Sequence, residues 1–338
     1  MLKKSVIAIA TGIVCSLSIP NLYAHEVEFK VINQQKVFKT MYDAVPYTQF
    51  MQIGIGSNAD NVGGFEQDER HTSSGLPMAF RPTSNPDEAW ILDAINDSLK
   101  LFKSGKLVRK INLSKMGYIT DFAMNKSGEF AFLNQQKGNI YITDGKGEIK
   151  TTLTGFENAL SLEYSSEKEL LVKSPMAGGV IRVSTEGTML GLYEGNQSLS
   201  NYTSEKGLWG LECSGGTIAK LFVIEPSEDI IPKKRIVAEF PFADYNDVEY
   251  KGGDIFGFDA EGNIYFGLVA CNPDGVIFRD RIYKCNQDGK VLKEMDVTGL
   301  AVRSPDLPRH RVVWSEDKVM TFYSDELKYY YLEEFNLK

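Results

Sequence analysis

The residues of this chain best equipped for chemistry are dispersed along it. Histidines stand at positions 25, 71 and 310, and cysteines at 15, 213, 271 and 285. Neither set shows the close spacing of a zinc or haem site, since there is no Cys-x-x-Cys and no Cys-x-x-Cys-His. There is no Gly-x-Ser-x-Gly turn to present a nucleophilic serine, and no glycine-rich loop to cradle a phosphate. What remains is a set of polar and aromatic residues at or just before short apolar runs. They are His71, Asp121, Glu157, Asn158, Trp209, Asp254, Arg309 and His310. Oxygen ligands suit a hard cation, so Asp121, Glu157 and Asp254 are the candidates to hold calcium or another divalent ion. Such an ion could polarise a carbonyl for hydrolysis or elimination. Without an ion, the same residues would line a binding surface of mixed charge.

Dispersed residues need a scaffold that gathers them, and the compartment comes first. Lys3 and Lys4 precede an apolar run from Ser5 to Ile19, which Pro20 and Asn21 end before Leu22-Tyr-Ala24. A basic start, a short apolar run and a final small residue read as a signal peptide over residues 1–24. The expected mature chain, 25–338, is a single domain in the periplasm or outside the cell. Losing Lys3 and Lys4 takes the net charge from −8 to −10, which argues against nucleic acid as a partner. No later segment holds eighteen uninterrupted apolar residues, so no membrane span is expected after cleavage. Export permits disulfides. Cys271 and Cys285 lie symmetrically about residue 278, so a hairpin turning there would set them opposite each other, within bonding reach.

The scaffold shows in a weak repeat. Ser98-Leu-Lys-Leu-Phe102 and Leu107-Val-Arg-Lys-Ile111 are alternating runs joined by a turn at Gly105, the pattern of a hairpin. Similar turns recur at Gly147, Gly187 and Gly289, at spacings of about one or two units of forty residues. A second series, Asn125-Lys-Ser-Gly128 and Asp259-Ala-Glu-Gly262, precedes apolar runs such as Ile264 to Ala270, which are expected to be inner strands. Four short strands per forty to fifty residues is the signature of a propeller blade. The expected limits are about 75–115, 116–155, 156–196, 205–242 and 250–298, with a sixth blade from near Arg309. That blade has three strands of its own, so Glu26-Val-Glu-Phe-Lys-Val-Ile32 is expected to supply its fourth and close the ring.

The unit from Ala89-Trp-Ile-Leu-Asp-Ala-Ile-Asn96 through Gly105 resembles the blade of NHL-repeat propellers. Phe258-Asp-Ala-Glu-Gly-Asn-Ile-Tyr-Phe266 looks like a turn shared by NHL propellers and the six-bladed gluconolactonase family. The first resemblance implies that Asp93 and Asn96 stabilise a turn. The second implies a divalent cation at one channel mouth and a lactonase-like chemistry there. The chain lacks that family's Glu-Gly-Pro lead-in and Asn-Gly inner turn.

The expectation is therefore an all-β, six-bladed β-propeller whose last blade is closed by an N-terminal strand. It would bind a small ligand, a peptide or another exported protein at the central channel mouth. The alternative is a metal-assisted hydrolase or lyase at the same mouth. The polar segment Gly63 to Gly75 would cover it, because long loops of this kind are often functional.

Overall fold

The turn series of the sequence is the turn series of the structure. A computed structural model describes residues 47–64, 76–77, 79–85, 87–194, 203–204, 207–213, 217–225, 234–241, 249–271, 277–297, 311–325 and 328–337. Gly105, Gly147, Gly187 and Gly289 all take positive φ, at 78°, 90°, 91° and 81°. Each ends the hairpin that the alternating runs begin. Among the described residues there are strands and turns but no helix.

The strands form six four-stranded antiparallel sheets. Blade one holds β2 (Phe80–Pro82), β3 (Glu88–Asp93), β4 (Ser98–Lys103) and β5 (Lys106–Asn112). Blade two holds β6 (Asp121–Met124), β7 (Phe130–Asn134), β8 (Asn139–Thr143) and β9 (Ile149–Thr154). Blade three holds β10 (Ser161–Ser166), β11 (Glu169–Ser174), β12 (Gly179–Ser184) and β13 (Met189–Glu194). Blade four holds β14 (Thr203–Ser204), β15 (Gly207–Glu212), β16 (Ile218–Ile224) and β17 (Lys234–Pro241). Blade five holds β18 (Glu249–Phe258), β19 (Ile264–Cys271), β20 (Ile277–Cys285) and β21 (Val291–Asp296). Blade six holds β22 (Val312–Ser315), β23 (Lys318–Asp325) and β24 (Tyr329–Asn336), and its outer strand is β1 (Tyr47–Gly54).

Burial follows radius. The outer strands are mostly exposed, with one buried residue in β5, β9 and β21. The second strands are buried almost throughout, as in β7 and β19. Ile264 to Ala270 thus forms a second strand rather than an innermost one, and its apolar run reflects neighbours on both faces. The first strand of each blade lies nearest the axis, and β6 packs beside β10 and β18 beside β22.

The hydrophobic core is a set of seams between consecutive blades. Trp90, Leu92 and Leu99 of blade one pack on Phe122, Phe130 and Phe132 of blade two. Leu133, Ile140 and Ile142 join Leu162, Leu170 and Val172 at the next seam. Leu171 and Val180 meet Leu208 and Phe222 between blades three and four. Trp209, Leu221 and Phe240 meet Ile255, Phe266 and Tyr283 between four and five. Phe256, Tyr265 and Ile282 meet Val319 and Phe335 between five and six. Met320, Phe322 and Tyr330 meet Phe80, Ile91 and Phe102, so the sixth seam returns to blade one and closes the ring. Burying each large apolar side chain contributes roughly 1.5–3 kcal/mol.

Two seams also carry buried charges. In the β3–β4 turn, Asp93 accepts from Gly63 N (3.0 Å), Asn96 N (3.3 Å) and Asn96 Nδ2 (2.9 Å), and pairs with Lys100 at 2.8 Å. That is the turn-stabilising role expected for Asp93 and Asn96. Between blades five and six, Lys284 lies 3.0 Å from both Asp259 and Asp317. Burial would lower its pKa, but hydrogen bonds to Tyr265, Asp317 and Asp259 hold it above the ordinary lysine range.

Two expectations are corrected here. The closing strand is Tyr47–Gly54, paired with β24, whereas residues 26–32 lie outside the described residues. The register of β19 on β20 does not set Cys271 opposite Cys285. Cys271 faces Ile277 and Cys285 faces Ile264, at opposite ends of the ladder, and no disulfide joins them.

Candidate functional site

The six first strands start on one face of the ring, and the turns between second and third strands reach the same face. The side chains around this mouth come from several blades. Arg81 on β2, Asp121 on β6 and Glu163 on β10 meet near the axis. One Arg81 nitrogen lies 3.7 Å from Asp121 Oδ1 and 3.6 Å from Glu163 Oε2. Both separations exceed a direct N–H···O bond. Arg81 Nη1 also donates to Phe80 O at 3.0 Å, and its guanidinium stacks over the Phe122 ring at 5.5 Å.

The three differ in how they are held. Asp121 is fully buried, and its Oδ2 accepts from Leu162 N at 3.0 Å, tying blade two to blade three. The Arg81 side chain keeps 13% of its surface exposed and that of Glu163 keeps 23%. Glu163 accepts only a long bond, 3.3 Å, from Tyr164 N. Burial raises the Glu163 carboxyl above the ordinary glutamate range, against Arg81, which pulls it down, while Asp121 adds to the rise.

A second charged group lies on the side of blades five and six. Asp254 sits within β18, opposite Gly267. Burial raises its carboxyl too, opposed by Lys173 on β11, by a hydrogen bond from Ile255 N, and by Arg311. Arg311 forks onto Asp280 at 3.0 and 2.5 Å, in a fully buried pair. Lys173 lies on blade three, so this group reaches across the ring toward the Arg81 group.

Above the Arg81 group the face turns apolar. Tyr118 precedes β6 by three residues, Leu160 precedes β10 by one, and Met176 lies in the β11–β12 turn. All three are exposed, Met176 by 74%. Asn158 donates from Nδ2 to Met176 Sδ at 3.1 Å, which orients that side chain. Glu157, exposed, packs against Gly138 in the β7–β8 turn, where an added Cβ would come within 2.6 Å of its carboxyl carbon.

The expected site residues divide accordingly. Asp121 lies in the three-blade group, Asp254 in the second group, and Glu157 and Asn158 on the rim. Trp209 does not face the mouth. It is 1% exposed, on the second strand of its blade, edge-on to Phe258 at 6.5 Å. The inner strand β14 has only two residues, so β15 lies close to the axis in sequence but inside the core in space. His71, Arg309 and His310 lie outside the described residues. Among the described residues no three His, Cys, Asp or Glu side chains gather as a metal site. Asp121, Glu157 and Asp254 thus do not form a ligand set. Sequence reasoning missed Arg81, Glu163, Lys173 and Arg311. All but Lys173 lie on or beside inner strands, where an alternating polar residue looks like a solvated one.

No family model matches the chain, and no curated protein does. Solved structures with a similar backbone include a Bacteroides fragilis protein classed as exported, at 9% identity and a TM-score of 0.50, covering 88% of this chain and 96% of that one. Another is virginiamycin B lyase from Staphylococcus aureus, at 11% identity and a TM-score of 0.47, covering 78% and 95%. A third is a streptogramin B lyase, at 11% and 0.48, covering 77% and 78%. The chain is a six-bladed β-propeller. At these identities the likeness is one of fold alone.

Proposed function

We propose that this propeller is an exported binding protein whose ligand sits at the mouth over blades one to three. The observation that supports this most is the Arg81, Asp121 and Glu163 group. Three inner strands bring it together, it stays partly open, and an exposed rim of Tyr118, Leu160 and Met176 stands above it. A charged floor under an apolar rim is the usual composition of a ligand pocket. The blade rhythm and the Asp93–Asn96 turn support placing the chain with NHL-type propellers. The basic start and the Ser5 to Ile19 run support export.

The test is a thermal-shift screen of small amines, acids, alcohols and short peptides on the mature chain. Compounds that raise the midpoint are expected to lose that effect in Tyr118→Ser and Met176→Ser, whose unliganded midpoints stay near wild type because both residues are exposed. Hits unaffected by both rim changes and by Arg81→Met would place the ligand elsewhere.

A further inference from the structure

We infer that the mouth takes an α-amino acid with an apolar side chain, its carboxylate on Lys173 and its ammonium on Asp254. This rests on the site proposed above and names the class of ligand it selects. Lys173 lies on β11 opposite Ser161, near the end of the strand that leads to the rim. Its carbonyl accepts from Leu160 N at 2.8 Å. Met176 follows three residues later, in a turn where Ala177 N donates to Ser174 Oγ at 3.3 Å. The register thus sets Lys173 beside two apolar residues of the rim. Leu170 and Val172 join the seam with blade two and Leu171 the seam with blade four, so alternation turns Lys173 away from blade two. Its side chain is half-buried, and among the described residues its ammonium makes no hydrogen bond or ion pair. Such a group brings three donors to whatever enters the mouth.

Asp254 is the carboxylate on which this ammonium acts from across the channel, and the two do not meet as an ion pair. Asp254 accepts one hydrogen bond, at 3.0 Å, from the amide of its neighbour Ile255. Arg311 also acts on it, but forks onto Asp280 at 3.0 and 2.5 Å. Gly252 stands beside Asp254 on the same face of β18, and a Cβ added there would meet no described atom within 4 Å. Two opposite charges thus border open space without closing it. A lone anion would be drawn to Lys173 and repelled by Asp254, and a lone cation the reverse. A small zwitterion is attracted at both ends. An apolar side chain on it rests on Leu160 and Met176.

Isothermal titration calorimetry on the mature chain at pH 8 tests this with L-phenylalanine, 2-phenylethylamine and 3-phenylpropionate. The amino acid is expected to bind at least tenfold more tightly than either probe of single charge. Lys173→Met should bring it down to the wild-type affinity of the amine, without weakening the amine. Asp254→Asn should bring it down to the wild-type affinity of the acid, without weakening the acid. Lys173→Arg, which keeps the charge, should retain most of the preference. No binding of phenylalanine, equal binding of either single-charge probe, or an unchanged phenylalanine affinity in Lys173→Met or Asp254→Asn each overturns the inference. Met176→Ser separates the two levels. If it weakens a screening hit while phenylalanine binds no better than its analogues, the site stands and the zwitterion falls. If it changes no binder, the site falls as well.

Discussion

The same residue types are held in two different ways in this molecule. At the seams, Asp93 and Lys100 lie 2.8 Å apart and fully buried, and Asp93 accepts three further hydrogen bonds. At the channel mouth, Arg81 stands 3.6 and 3.7 Å from its two carboxylates and is partly exposed. The first arrangement holds its carboxylate with four partners. In the second, Glu163 accepts a 3.3 Å bond from Tyr164 N and keeps 23% of its side chain exposed. A buried ion pair is therefore read by what its oxygens and nitrogens already accept and donate, and not by its presence alone.

The sharpest way to break this comparison is to remove one seam partner. Asp93→Ala leaves the Lys100 ammonium buried without its carboxylate, and urea denaturation should show a loss of roughly 3–5 kcal/mol. Gly105→Ala should cost less, on the order of 1–3 kcal/mol. The residue sits at φ 78°, and an added Cβ would lie 2.5 Å from the carbonyl of Gln52 on the closing strand. Its midpoint should drop through loosening at the seam between blades six and one, seen as faster amide exchange along β1 than in β7.

Glu163→Gln should act in the opposite direction. Its folded pKa lies above 4.5, so between those values the folded protein keeps a proton that the unfolded chain has released. Stability falls as pH rises through that window. The variant should thus melt above wild type at pH 8, and the gap should close as pH falls to about 4. A wild-type midpoint above that of the variant at pH 8 would place Glu163 with the seam charges. The smallest effect is expected at the partly exposed pair of Arg182 and Glu169, 2.7 Å apart. Arg182→Ala should cost about 1 kcal/mol or less in a double-mutant cycle with Glu169→Ala.

Much of the ring was legible in the sequence, because turn chemistry is local. A glycine at positive φ between two alternating runs needs no knowledge of the rest of the chain. The closing strand was not legible. Tyr47–Gly54 carries a register shift between Gln49 and Met51, which breaks its alternation, while residues 26–32 alternate cleanly. The hairpin of Cys271 and Cys285 failed for a similar reason, since spacing gives a midpoint but not where the chain turns. Trp209 was placed one strand too far inward because a two-residue β14 leaves no hydrophobic mark. The mouth was half legible. Asp121 begins an inner strand and stands out there. Arg81 and Glu163 meet only because three blades are arranged radially, and no local pattern records that.

The pairing of β1 with β24 makes the first described strand the partner of the last. Ring closure thus joins residues from nearly opposite ends of the polypeptide, the costliest kind of contact to form early. A chain emerging N-terminus first can assemble five blades while Tyr47–Gly54 waits for its sheet. Until Tyr329–Asn336 arrives, the waiting strand presents unpaired backbone and blade one an uncovered apolar face, Phe80, Ile91 and Phe102, the state in which such chains meet copies of themselves. Removing Tyr329–Asn336 would leave Tyr47–Gly54 without its sheet and is expected to cost the ring its closure.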